Sequence, residues 1–312
     1  MYAIIVHGGA GSWPPERERE LTFGVRTAAE NGGKRLAEGS SALEAVISAV
    51  GVLEDDPLFN AGTGSTLNLT GEAEMDAGVM WGPTLAAGNV AALTRVRSPV
   101  RVARSIMEHT DHVLLAGPAA LRLARSLGYP DYDPITSAAR NRWNRLRARM
   151  DDAPEEFGRL PGLLRDHPDL GGDTVGAVAL DSQGALACAT STGGIALKLP
   201  GRVGDAPLPG AGHFADAHCA VAATGHGELM MRHGTARAVT CRVAAGMPLE
   251  AALSEVLDEL GRELGSEAGL IGIDGNGAPC VDHRSKHMPH AVVRSGVEGI
   301  HGALKVGGED GA

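Results

Sequence analysis

Residues 174–181 (TVGAVALD) and 185–191 (ALACATS) are two apolar runs separated by only Ser182-Gln183-Gly184. So short a turn reverses the chain, and the runs pair as an antiparallel hairpin. A second pair, 270–274 and 278–281, closes around Asp274-Gly275-Asn276-Gly277. Apolar runs at 2–6, 88–93, 217–223 and 291–294 read as further strands, with turns and short strands over 60–80. Helical spacing predicts helices over 18–38, 41–54, 99–109, 118–127, 228–245 and 249–264, with 112–115 between the third and fourth. Ser41 with Glu44 three residues on is a capping-box pattern. Hairpins in a chain that also carries helices in both halves predict an α+β fold. Its antiparallel sheets are covered by helices, unlike a doubly wound parallel sheet.

The chain is long enough, at 312 residues, for a sizeable core. Its 44 glycines and 3 % aromatics imply many tight turns and a core of Ala, Val, Leu and Ile. A formal charge of -10 repels phosphate backbones and argues against a nucleic-acid partner. The one basic run, 140–149 (RNRWNRLRAR), is followed by Asp151, Asp152, Glu155 and Glu156 and reads as a solvated helix and linker. Cys188, Cys219, Cys241 and Cys280 are far apart in sequence and are expected as reduced thiols. The opening MYAIIVHGGAG has no basic region before a long apolar stretch, and no window approaches 18 apolar residues. The expectation is a cytoplasmic protein without a membrane span.

Residues 131–173 are rich in Pro, Asp, Glu and Arg with weak periodicity, and read as a linker, lid or processing region. Order returns abruptly at Thr174, after Gly171-Gly172-Asp173. A Thr hydroxyl is a poor nucleophile without a base beside it. A Thr at a new N-terminus carries its own base, an α-amine uncharged near pH 7.7–8. The preceding glycines permit the strained backbone that an N-to-O acyl shift between Asp173 and Thr174 needs. In isolation, a Thr that opens a strand is ordinarily structural.

Three more segments bear on chemistry. Ala189-Thr190-Ser191-Thr192-Gly193-Gly194 puts hydroxyls at a strand end beside two glycines, as a plain turn also would. Gly201-Arg202-Val203-Gly204-Asp205 puts opposite charges three residues apart in a glycine loop. They suit the carboxylate and ammonium of a zwitterion, or equally a surface ion pair. Ala223-Thr224-Gly225-His226-Gly227-Glu228 is a strand-to-helix junction whose exposed backbone N–H groups suit an oxyanion. His226 there reads as structural.

The four segments follow one another between Thr174 and Glu228. With HGGAG at 7–11, LEDDPLFNAGTGSTLN from Leu53 and GEAEMDAGVM from Gly71, they resemble the plant-type asparaginase and isoaspartyl peptidase family of N-terminal-nucleophile hydrolases. The resemblance implies a four-layer αββα sandwich of two mainly antiparallel sheets between helices. It implies self-cleavage into 1–173 (α-chain) and 174–312 (β-chain). Thr174 would be the nucleophile and Thr192 would assist it. Thr224 and Gly225 would hold the oxyanion. Arg202, Asp205 and Gly227 would bind substrate, with Asn60 and the His7-Gly8-Gly9 loop in support. Carbonyls of Leu53, Glu54, Asp56, Phe59, Ala61 and Thr63 match a loop that binds structural sodium in family members. No cofactor is implied for catalysis, and a homodimer of αβ units is implied by analogy.

The implied reaction is hydrolysis of the side-chain amide of L-asparagine and of β-aspartyl dipeptides. A glycosylasparaginase shares fold and nucleophile but is typically secreted and disulfide-bonded. A threonine-type endopeptidase usually carries long insertions. An uncleaved amino-acid-binding protein is the alternative outside catalysis. His283, His287 and His290 have metal-like spacing but no accompanying carboxylate or thiolate set.

Overall fold

The computed structural model describes residues 1–153, 174–264, 268–297 and 299–303. In chain order the strands are β1 Ala3–His7, β2 Met75–Trp81, β3 Ala86–Leu93, β4 Leu114–Ala116, β5 Val175–Leu180 and β6 Leu186–Thr192. They continue with β7 His213–Ala215, β8 Cys219–Gly225, β9 Ala268–Asp274, β10 Pro279–His283, β11 His290–Arg294 and β12 His301–Ala303. The helices are α1 Glu18–Ala37, α2 Ala42–Asp55, α3 Pro99–His109, α4 Gly117–Ser126, α5 Ser137–Asp152, α6 Gly227–His233, α7 Thr235–Ala244 and α8 Leu249–Leu264. One sheet has the order β12-β11-β1-β5-β6-β2-β3-β4 and the other β10-β9-β8-β7. All pairings are antiparallel except β3 with β4, which leaves a short parallel edge.

Strand side chains alternate between faces, so each strand contributes to two cores. Ile4, Val6, Ala177, Ala179, Ala187 and Ala189 pack with Leu21, Val25, Val46 and Val50 of α1 and α2. Their neighbours Ala3, Ile5, Val178, Leu186 and Cys188 turn the other way and meet Ala220, Ala222, Ile271 and Ile273 of the second sheet. The far face of that sheet, with Val221, Ala223 and Leu270, packs on Val239, Leu253 and Val256 of α7 and α8. Three cores between four layers make the αββα sandwich. Each fully buried Ile or Leu contributes about 1.5–3 kcal/mol relative to exposure. Strands covered on both faces have no polar alternation, which is why β5 reads as an unbroken apolar run and β6 is apolar up to the hydroxyls at its end. Ser41 caps α2 by accepting from Glu44 N at 3.2 Å.

Three local expectations are corrected. The helix read at 140–149 is α5, which runs over Ser137–Asp152 inside the expected linker and packs on the fold instead of standing wholly in solvent; its cap is Thr136 Oγ1 accepting from Ala139 N at 3.1 Å. Trp143 Nε1 donates to Asn68 O at 2.8 Å, and Leu146 packs on Ala196 and Leu197. Asp173 and the rest of the linker from 154 lie outside the described residues. The single helix expected over 228–245 is two, because Gly234 has φ 67° and reverses the chain between α6 and α7. The short strands β7 and β12 were not foreseen.

Candidate active site

Thr174 precedes β5 and is buried. Val175 pairs with Ser191 across β5 and β6, so one further step of register sets Thr174 opposite Thr192. Thr192 in turn pairs with Asp76 of β2. The three residues thus form a row across one end of the large sheet. Thr192 Oγ1 accepts from Gly194 N at 2.9 Å.

The HGGAG segment joins this row to the second sheet. His7, at the end of β1, pairs with Gly176, and a Cβ on Gly176 would lie 2.4 Å from His7 Nε2. His7 Nδ1 accepts from Gly9 N at 3.3 Å. Burial, with His290 close by, lowers its pKa to about 3, against an opposing contribution from the Thr174 backbone. The imidazole is therefore neutral. Ala10 N donates to Thr224 Oγ1 at 3.2 Å, which leaves the Thr224 hydroxyl proton to be given to another group.

Arg202, Asp205 and Gly227 are brought together. A Cβ on Gly227 would lie 2.9 Å from Arg202 Nη2 and 3.0 Å from Asp205 Oδ1, so any larger residue would fill the space between the charges. Arg202 is not paired with Asp205 but with Glu228, Nε to Oε1 and Nη2 to Oε2, both at 2.8 Å. Asp205 is buried, and its Oδ2 has no hydrogen-bond partner among the described residues. Desolvation pushes its pKa up to about 7, opposed by Arg202. A buried carboxylate oxygen without a donor costs about 1–3 kcal/mol, which an incoming ammonium would relieve.

Asn60 does not point its amide into open space. Its Nδ2 donates to Gly194 O at 2.7 Å and its Oδ1 accepts from Thr66 N at 2.7 Å, so it staples the turn after Thr192. Around the sodium-type loop, the Glu54 carbonyl accepts from Thr63 N and the Asp56 carbonyl from Phe59 N. The Glu54 side chain is buried and accepts from Ser191 Oγ at 2.7 Å and Val100 N at 2.9 Å. Desolvation raises its pKa to about 7. His287 Nδ1 accepts from Trp13 N, His290 Nδ1 approaches Met288 O at 2.8 Å and His283 Nδ1 approaches Ser285 O at 3.0 Å, so all three C-terminal histidines are engaged in fixing loops.

Two charged residues escaped the sequence reading. Asp76 is buried; its Oδ1 accepts from Ala92 N at 2.8 Å and its Oδ2 from Gly204 N at 3.4 Å. Lys198 is buried, donates to Glu74 O at 2.7 Å, and its Nζ lies 2.8 Å from where a Gly194 Cβ would be. Desolvation raises the pKa of Asp76 and lowers that of Lys198. A lone acid inside the run Met75–Trp81 and a lone base in IALKLP were the available signals.

The sandwich, with a buried Thr opening an inner strand, has the fold of the N-terminal-nucleophile hydrolases. The family model described as asparaginase matches residues 1–300. The chain is 43 % identical over 302 residues to the plant-type L-asparaginase of Pyrococcus furiosus, covering 96 % of this chain and 98 % of that protein. It is 40 % identical over 298 residues to the isoaspartyl peptidase/L-asparaginase of Danio rerio, covering 94 % and 92 %. The Bos taurus protein of the same name is 39 % identical over 309 residues, covering 97 % and 96 %. The chain belongs to this asparaginase family. Among the described residues no helix is long and apolar enough to cross a membrane.

Proposed function

We propose that this protein hydrolyses the side-chain amide of L-asparagine and of β-aspartyl dipeptides, after cutting itself between Asp173 and Thr174. The observation that carries the reading is the buried, partnerless Asp205 Oδ2 beside Arg202 and Gly227. It is a receptor for the ammonium of a zwitterionic substrate, and a Cβ on Gly194, in the turn after Thr192, would lie 3.3 Å from Arg202 Nη1. The names of the relatives above support the same substrate classes.

In this reading the Thr174 hydroxyl adds to the substrate's amide carbon and its proton passes to the α-amine of Thr174. Thr192 assists through its hydroxyl. Thr224 and Gly225 donate to the oxyanion. The amide C–N bond breaks, ammonia or an amino acid leaves with the proton, and a β-aspartyl ester remains on Thr174. Water hydrolyses the ester and releases L-aspartate. Arg202 holds the α-carboxylate, and exchanges its Glu228 contact for it in whole or in part. Asp205 and Gly227 hold the α-amine, and Asn60 keeps the 193–194 turn in place.

The reading extends to the setting. A sodium ion would sit among the carbonyls of Leu53, Glu54, Asp56, Phe59, Ala61 and Thr63 and act structurally. The Glu54 and Asp56 oxygens each accept one N–H and retain a second lone pair to offer. The working form is a cytoplasmic homodimer of αβ units. Steady-state rates on L-asparagine and on β-aspartyl-leucine test the substrate assignment. Turnover of at least one, inhibited by L-aspartate, is expected. A matured protein that hydrolyses neither would refute it.

A further inference from the structure

The Ala206 carbonyl, one residue beyond Asp205, accepts two hydrogen bonds in the buried interior. Thr190 Oγ1 donates to it at 2.7 Å, and His213 Nδ1 lies 3.0 Å from it and 3.2 Å from Thr190 Oγ1. A carbonyl oxygen only accepts, so the Nδ1 atom carries the imidazole proton. The Thr190 proton is already given to Ala206, so its oxygen lone pair faces Nδ1. Both residues are buried. His213 Nε2 is left without a partner among the described residues; a Cβ on Gly78 would lie 2.9 Å from it and 2.3 Å from Asn89 Oδ1.

The peptide between Asp205 and Ala206 is pinned as well. Asp205 O accepts from Leu208 N at 2.9 Å, and a Cβ on Gly212 would lie 2.5 Å from that oxygen. Asp205 itself donates and accepts little through its side chain: Oδ2 has no partner. Only its own backbone N–H and the nearby charges of Arg202, Glu228 and Asp76 act on the carboxylate among the described residues. Its direction is therefore tied to the backbone on its C-terminal side, held at Asp205 O and Ala206 O.

We propose that Thr190 and His213 are positioning residues for the ammonium subsite: by saturating the Ala206 carbonyl they fix the backbone that aims Asp205 at the substrate's α-amine. Neither residue touches substrate. The inference rests on the assignment of Asp205 to the ammonium made above. Hydrogen bonds to a buried acceptor are short-range and directional, so losing one lets the Ala206–Pro207 peptide turn and loosens the Asp205–Ala206 peptide joined to it. That loss falls on ligands with an amine and spares those without one.

L-aspartate and succinate differ only by that amine, so their dissociation constants, measured by calorimetry on the matured full chain, form the readout. The wild-type protein is expected to prefer L-aspartate. Thr190→Val and His213→Phe should each reduce the preference by about fivefold to tenfold, the effect of one net hydrogen bond, while leaving succinate affinity within about twofold. Thr190→Ser and His213→Asn, which keep a donor, should retain the preference and guard against a folding artefact. Asp205→Ala should abolish it. Loss in Asp205→Ala with full retention in Thr190→Val and His213→Phe overturns the inference alone. Retention in Asp205→Ala overturns the ammonium assignment and the inference with it. Equal weakening of both ligands in Thr190→Val marks a merely structural role and also overturns it.

Discussion

Asp205 combines deep burial with an unpartnered oxygen, and the combination has a pH signature. In the unfolded chain an Asp loses its proton near pH 3.9, whereas here the proton is held to about pH 7. Between those values the folded state binds more protons, so this group's contribution to stability falls as pH rises, and it levels off above about 7. Asp205→Asn removes the effect. Its stability advantage over the wild type should grow from pH 5 to pH 7 and reach about 1–3 kcal/mol in thermal or denaturant unfolding. The same variant should lose about 30-fold or more in kcat/KM, because an amide cannot neutralise an ammonium. Residues like Asp205 and Arg202 were legible because they stand in glycine loops, where a charge has no helix or strand to serve. Arg202's partner was not. Glu228 lies 26 residues away on another element, and only the fold brings its carboxylate to the guanidinium. Asp76 and Lys198 were hidden because an isolated charge within an apolar run carries no spacing pattern.

At the scale of elements, period and caps gave most of the fold. Pro99 and Ser41 mark the starts of α3 and α2, and the hairpin 174–191 follows from its three-residue turn. Failures have physical causes. Gly234 breaks a continuous apolar pattern through a φ of 67°, which spacing does not reveal. The helix α5 was legible in the basic run 140–149, but its arginines hid the packed face: Trp143, Leu146 and Met150 recur at helical spacing and reach the loop that leads to Lys198 and Arg202. That contact makes α5 part of the framework. Leu146→Ala should lower stability by about 2 kcal/mol, read as a shift in the unfolding midpoint, with the substrate Kd little changed. A shift under about 0.5 kcal/mol would show that α5 lies loosely on the surface.

Across the whole molecule, strand order has a consequence for maturation. In the large sheet β12, β11, β5 and β6 come from beyond residue 173, and β1, β2, β3 and β4 from before it. β1 is clasped between β11 and β5, and β2 pairs with β6. Once cut before Thr174, two chains interleaved in this way would share one core and could not part without exposing it. Gel filtration in native buffer should therefore co-elute both fragments as one species. Separate native peaks would contradict the strand order.

The most direct test of the central claim is denaturing electrophoresis, with intact mass, of the wild type beside Thr174→Ala. Dividing 32.1 kDa in the ratio of 173 to 139 residues predicts wild-type fragments of roughly 18 and 14 kDa. The smaller should begin at Thr174. Thr174→Ala should remain a single full-length chain and hydrolyse neither L-asparagine nor a β-aspartyl dipeptide. An uncut, active wild type, or a Thr174→Ala protein that still turns over substrate, would contradict the account.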